Sequence, residues 1–323
     1  MNNYSFIQQQ LHHICLGNNF LKKSFFEIEK LIFYQKIQNI ENQKHVFISG
    51  LPRSGTTVIL QFVYNSKEYA SLTYNDMPFI MAPSLFSKFY KRKSVPKKER
   101  MHSDGLFYDL STPEAFDEVF FSSFNTNEEI QENLIDYISL VLIKYKKNKY
   151  LSKNNTNYKR ISLIQNILPN SIFIIPFRNP LQHSFSLLNQ HKNFINLQNK
   201  DKFILKYMNY LGHNEFGNNH QSWFKPIKYN NFDDINYWLE QWLLFYQNII
   251  NNFQSYKNCN LICYEKLCYN NDYFNKIKSI LKLNENLDFK FKNSLQNITL
   301  SVDNNLLLDC NKLYNTMKTK FMI

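Results

Sequence analysis

The sequence predicts a three-layer α/β fold in which a mostly parallel central sheet is flanked by helices. Three observations predict it. Short apolar stretches near residues 46–49, 70–74, 172–177 and 260–264 alternate with segments of helical periodicity, the pattern of strands joined by helical crossovers. The stretch Ser171–Phe177 is apolar on both faces, as a strand covered on both sides must be. Two segments rich in anion-binding side chains begin where a strand ends, the edge at which open parallel sheets hold their ligands. With 323 residues, 44% of them hydrophobic, the chain can bury one sizeable core. A single domain is expected over 1–323, with a helical segment at 1–42, a core at 44–283 and a tail at 284–323.

Residues 1–42 set Phe20, Leu21, Phe25, Ile28, Leu31 and Ile32 at helical spacing, so one or two helices packed on the domain are expected there. The polar start, with Gln8–Gln10 followed by His12 and His13, lacks the apolar core and cleavage site of a signal peptide. No stretch reaches the roughly 20 apolar residues of a membrane span. His45–Ser49 reads as a strand, Gly50–Gly55 as a loop and Thr56–Tyr64 as an apolar helix. Ala70–Tyr74 is strand-like, and Ser111-Thr112-Pro113-Glu114 reads as a helix start with its carboxylate in the first turn. Helices are expected over Glu128–Lys144 and Ile161–Leu168. After the strand Ser171–Phe177, Asn179 is placed as an N-cap and Pro180 as the first residue of a helix through Leu181–Gln190. Asn199–Asn236 reads as an irregular insertion. Trp238–Asn251 carries Trp238, Leu239, Trp242 and Phe245 at core spacing, Asn260–Tyr264 is a further strand, and the tail beyond Asn284 is weakly patterned.

Two of the six glycines frame Gly50-Leu51-Pro52-Arg53-Ser54-Gly55-Thr56-Thr57. A strand, a glycine-framed loop and a helix N-terminus aim backbone N–H groups and a positive dipole at one point, which suits a phosphate and makes the fold P-loop-like. Thr56 occupies the position of the lysine that reaches the β- and γ-phosphates in nucleotide triphosphatases, so a normal ATP loop is not expected. Arg53 brings the positive charge from within the loop, and Thr56 and Thr57 bring hydroxyl donors. The second segment delivers Arg178 at a strand end with Ser186 eight residues on, in an early helical turn. Both can reach one anion.

With these residues the chain resembles the sulfotransferases that use 3′-phosphoadenosine 5′-phosphosulfate (PAPS). In that superfamily a Pro-Arg/Lys-x-Gly-Thr-Thr type loop holds the 5′-phosphosulfate, and an Arg followed eight residues later by a Ser holds the 3′-phosphate. Pro52, Arg53, Ser54, Gly55, Thr56 and Thr57 match the first, and Arg178 with Ser186 matches the second. Leu72–Phe79, Pro113–Phe116 and Gly212–Gly217 look like segments of bacterial members, and Glu265-Lys266-Leu267 after Tyr264 resembles a Tyr-Glu-x-Leu element. The resemblance covers roughly Lys44–Leu283. It implies PAPS as donor, 3′-phosphoadenosine 5′-phosphate (PAP) as product, no metal, and a hydroxyl or amine acceptor, with a saccharide or glycan first. Golgi members carry an N-terminal span, so a cytoplasmic, bacterial-type enzyme fits better here. The C-terminal Arg-Lys-Gly-x-x-Gly type segment of small-molecule sulfotransferases has no match.

Sulfuryl transfer builds charge on equatorial oxygens and on the leaving phosphate, where fixed cations stabilise it. Arg53 is placed for the bridging oxygen, and Lys153 resembles a lysine that faces the transferring sulfate in tyrosyl-protein sulfotransferases. The acceptor must also lose a proton. By resemblance the base lies a little over twenty residues beyond the loop's basic residue, which makes Asp76 the first candidate. His102 with Asp104 competes, since a histidine titrates near neutrality. Glu114 is a third candidate beside its reading as a helix start, and His213 and Glu215 read as part of a structural turn.

Five cysteines without paired Cys-x-x-Cys spacing indicate neither a disulfide framework nor a zinc site. The net charge of +12 suits an anionic donor and raises encounter rates at low salt. Its densest cluster, Lys88–Lys98, interleaves Phe89 and Tyr90, but no nucleic-acid fold signature accompanies it. A kinase-like phosphotransferase and a non-catalytic anion- or nucleic-acid-binding protein are the alternative readings.

Overall fold

The strands at Val46–Ile48, Ile172–Phe177 and Cys259–Cys263 form from short apolar stretches between helices. The computed structural model describes residues 4–37, 39–87, 96–101, 105–225, 227–284 and 286–323. Its strands are β1 (Val46–Ile48), β2 (Tyr69–Ala70), β3 (Lys98–Glu99), β4 (Phe107–Tyr108), β5 (Lys149–Lys153), β6 (Ile172–Phe177) and β7 (Cys259–Cys263). β3 and β4 make a small antiparallel pair, and the other five form one parallel sheet in the order β2-β5-β1-β6-β7. From β1 the chain reaches β5 on one side and β6 on the other, so the loops leaving β1 and β6 meet at a switch of sheet direction.

The helices are α1 (Phe6–Leu16), α2 (Asn19–Phe33), α3 (Thr56–Asn65), α4 (Pro83–Ser87), α5 (Glu118–Phe121), α6 (Asn127–Tyr145), α7 (Ile161–Ile167), α8 (Pro180–Lys200), α9 (Lys202–Tyr210), α10 (Ile235–Asn252), α11 (Tyr264–Tyr269), α12 (Asn271–Leu281) and α13 (Asn304–Thr316). Alternate strand residues go to opposite layers. Val46, Ile48, Ile172 and Ile174 pack with Ile59 and Val63 of α3 and Ile277 of α12. Phe47, Phe173 and Ile175 pack with Ile138 of α6, Ile164 of α7 and Trp242 of α10. All six residues of β6 are buried, and each large apolar side chain so placed contributes roughly 1.5–3 kcal/mol. Among the described residues no helix is long and apolar enough to cross a membrane.

The cap expected at Asn179 is present, and α6 is capped one residue before its start. The Asn179 side chain accepts from the Gln182 N–H with Pro180 as first helical residue, and the Thr126 side chain accepts from the Glu129 N–H at the start of α6. Other local expectations need correction. β5, Lys-Tyr-Leu-Ser-Lys, was not expected as a strand, because two lysines and a serine hide a segment whose last four residues are buried. The strand expected at 70–74 stops at Ala70, and a 3-10 turn follows at Tyr74–Asp76. The expected irregular insertion 199–236 contains α9, and the tail holds α13 and returns to the sheet, where Met322 bridges Leu261. In α2 the packed side is Phe26, Glu29 and Phe33, whereas Phe20, Ile28, Leu31 and Ile32 of the expected stripe are exposed.

Candidate active site

The loop after β1 turns sharply enough to require unusual backbone. Arg53 stands at φ 68° and Gly55 at φ 102°. A Cβ on Gly55 would run into the Tyr264 ring, so glycine is required both by conformation and by packing. A non-glycine residue such as Arg53 holds a left-handed conformation only where its surroundings over-determine it, a situation that clusters at ligand sites. Those surroundings are visible. The Arg53 Nε donates to Ser186 Oγ at 3.1 Å, and Arg178 donates to the Arg53 carbonyl at 3.1 Å. His183 Nε2 lies 2.7 Å from the Pro52 carbonyl. Burial, then the charge of Arg178, lowers the His183 imidazole to about 3, so it is neutral and donates from Nε2. Ser54 is buried and donates to the Leu51 carbonyl at 2.7 Å, a bond that holds the turn.

Arg178 follows β6 directly and crosses over the Tyr264 ring, 5.7 Å from its centroid. Its other terminal nitrogen donates to the Ser294 carbonyl at 3.4 Å, and its buried Nε has no hydrogen-bond partner among the described residues. A guanidinium with five donors held this way has capacity left for an anion. Glu265 accepts from the Asn179 N–H at 2.7 Å, so the Tyr264-Glu265 segment braces both the loop and the start of α8.

These groups open onto a cavity of about 550 Å³. Pro52, Arg53, Gly55, Thr56, Thr57 and Arg178 line it, together with Lys153, Glu114, Arg100, His213 and Glu215. Lys153 ends β5 beside Ile48 of β1, and its side chain is only 8% exposed. It is therefore a lysine at a strand end within the sheet, 3.8 Å from Glu114. Glu114 corrects the helix-start expectation, since α5 begins at Glu118. Instead Pro113 bridges Thr73 and the Glu114 N–H donates to the Leu72 carbonyl, which carries Glu114 to the end of the β2 segment. There Arg100 donates to Glu114 at 2.8 Å and lies 3.4 Å from the Thr57 hydroxyl, joining the carboxylate to the loop.

A profile of the sulfotransferase family matches residues 45–272. The chain belongs to that family. The fold agrees with sulfotransferase STF1 from Mycobacterium tuberculosis H37Rv at 8% identity and a TM-score of 0.51, over 95% of this chain and 81% of that one. Sulfotransferase STF9 from Mycobacterium avium aligns over 99% of this chain and 79% of its own at 11% identity, with a TM-score of 0.48. No curated protein matches. This sulfotransferase is thus an enzyme of known family whose site residues are read from its own geometry.

Asp76, the first expected base, sits elsewhere in this sulfotransferase and does not line the cavity. It closes the capping box of the 3-10 turn, accepting from the Thr73 N–H at 2.6 Å and from the Tyr145 hydroxyl at 2.5 Å, and it pairs with Lys144. The turn uses this carboxylate to satisfy its own backbone. Asp76→Ala should therefore destabilise the protein by about 3–5 kcal/mol, the cost of leaving a buried partner charge unpaired. Urea denaturation measures this, and an unchanged midpoint would contradict the structural role. His102, Asp104 and most of the basic cluster, residues 88–95, lie outside the described residues.

His213 and Glu215 belong to the site and not merely to a turn. His213 Nδ1 lies 3.3 Å from Glu215, which also accepts from Asn155 at 3.1 Å. Burial opposes both charges, but the pairing outweighs it: the imidazole is raised above 6.5 and the carboxyl is lowered to about 2. A histidine raised in the folded state contributes stability below its unfolded value that is lost as pH rises through its folded value. A lowered carboxyl contributes stability above its unfolded value that is lost as pH falls toward its folded one. With unfolded values of 6.5 and 4.5, both contributions are present between those limits. His213→Gln should lower the Tm more at about pH 6 than at about pH 9; equal losses would refute the charged pair.

Sequence reasoning also missed the tail's cations. Lys290 and Lys292 line the cavity, and the Lys292 carbonyl accepts from the Tyr264 hydroxyl at 3.1 Å. No local motif marks 290–292, and only the return of the tail over Tyr264 brings them in.

Proposed function

We propose that this enzyme transfers a sulfuryl group from PAPS to a hydroxyl or amine, with Glu114 as the general base. The observation that carries the reading is the convergence of the loop, Arg178, Lys153 and Glu114 on one cavity. When bound, the donor supplies a sulfur atom that the acceptor oxygen or nitrogen attacks while the sulfur–oxygen bond to the 5′-phosphate breaks. Pro52–Thr57 holds that phosphate with backbone N–H groups at the start of α3, the Thr56 and Thr57 hydroxyls and Arg53. Arg178 and Ser186 serve the 3′-phosphate, and Ser186 also holds Arg53 in place. Lys292 adds the charge that other family members take from a C-terminal Arg-Lys-Gly-x-x-Gly type segment. Lys153 and Arg53 stabilise charge on the transferring group, and Glu114 receives the acceptor's proton.

The Arg100 contact to both Thr57 and Glu114 supports this division, because it sets the base at a fixed distance from the donor loop. The saccharide expected from the sequence meets a largely aromatic wall here. Calorimetric titration with PAP, with ATP as control, tests the donor. Tight PAP binding with weak ATP binding is expected, and preference for ATP would overturn the reading.

A further inference from the structure

Beyond the reacting groups the cavity changes character. The Tyr74 hydroxyl donates to Glu114 at 3.4 Å, and its ring lies 4.6 Å from Tyr108 and edge-on to Phe116 at 5.3 Å. Met208 and Leu211, at the end of α9, continue this wall ahead of His213, and Phe194 and Phe216 stack in parallel at 6.2 Å. An aromatic and aliphatic surface thus lines the same cavity as the carboxylate proposed as base and touches it through Tyr74.

Among the described residues, most polar groups at that end are engaged with one another. Glu114 accepts from Arg100, Tyr74 and the Ala115 N–H. His213 spends one ring nitrogen on Glu215 and the other, at 3.2 Å, on the Ala115 carbonyl. The Asn155 amide donates to Glu215, and its Oδ1 is the polar atom on this side left without a hydrogen-bond partner among the described residues. A sugar entering this wall would bring several hydroxyls out of water and find few partners, each loss opposing binding. An apolar body would gain by covering the rings and presenting a single hydroxyl to Glu114.

We infer that the acceptor is an alcohol or phenol carried on a compact apolar body, seated against Tyr74, Tyr108, Phe116 and Leu211, and not a saccharide. This rests on the donor reading above, since the hydroxyl must face the sulfuryl end of PAPS. The geometry carries it through one contact, the Tyr74 hydroxyl on Glu114, which ties the apolar wall to the point of proton removal.

Calorimetry on the full chain saturated with PAP tests it, with naphthol and decanol as apolar probes and N-acetylglucosamine as the saccharide. At least one apolar probe should bind at least about tenfold more tightly than the sugar, a difference of roughly 1.4 kcal/mol. Tyr108→Ala, at a half-buried position, should weaken that probe about tenfold and leave PAP affinity within about twofold. Equal or tighter sugar binding overturns the inference, as does a protein that binds PAP but neither apolar probe. A protein that does not bind PAP overturns the donor reading and this inference with it. If Tyr108→Ala loses PAP as well, the variant has lost its fold, and the wild-type comparison decides.

Discussion

Glu114→Gln should lower turnover by a factor of about 10²–10⁴, the usual worth of a positioned general base. The substitution keeps the size of the side chain and a carbonyl oxygen to accept from Arg100, so the cavity should keep its shape. PAP affinity should therefore stay close to wild type, while the Tm falls because Arg100 and Lys153 lose the carboxylate they pair with. The loss belongs to proton removal, and it should fall on kcat with acceptor KM little changed. Asp76 provides the contrast, because its carboxylate is shared among Thr73, Tyr145 and Lys144 outside the cavity. Steady-state kinetics on Glu114→Gln decide the matter. Retention of wild-type turnover would move the base elsewhere, with His213 the next group on that wall.

Arg178→Ala should weaken PAP by about 2–5 kcal/mol, roughly 30- to 5,000-fold, the range for truncating one partner of a buried charged pair. The arginine acts twice. Its guanidinium faces the anion site, and it also holds the Arg53 carbonyl at 3.1 Å, so its loss loosens the left-handed residue that aims the loop. Arg178→Lys should recover only part of the affinity, since an ammonium cannot span the Arg53 and Ser294 carbonyls with a planar fork. The calorimetric comparison of wild type, Arg178→Lys and Arg178→Ala reads this directly. Equal affinities in all three would exclude Arg178 from the donor site.

The glycine-framed loop and Arg178 were legible in the chain because their physics is local. A strand end, Gly50 and Gly55 around Arg53, and a helix start lie within a dozen residues. The same holds for Arg178, Asn179 and Pro180, whose cap geometry follows from residue type. The rest of the cavity depends on residues far apart in sequence. Glu114 reaches the site only through the Pro113–Thr73 bridge, Arg100 only by bonding across to Glu114 and Thr57, and Lys292 only because the tail folds back over Tyr264.

What the sequence by itself determined is the α/β layering, the glycine-framed loop with its arginine, the second arginine at a strand end and the family that combination implies. Those follow from period, turn chemistry and capping, which act over a few residues. Only the tertiary structure decided which carboxylate lines the cavity, that β5 delivers Lys153 beside β1, and that aromatic side chains share that cavity. Asp76 and Glu114 are both acidic residues near the end of the β2 segment, and the spacing from Arg53 favoured Asp76. The difference is that one is consumed by its own turn and by Lys144, while the other is set at the cavity by long-range pairing with Leu72 and Thr73.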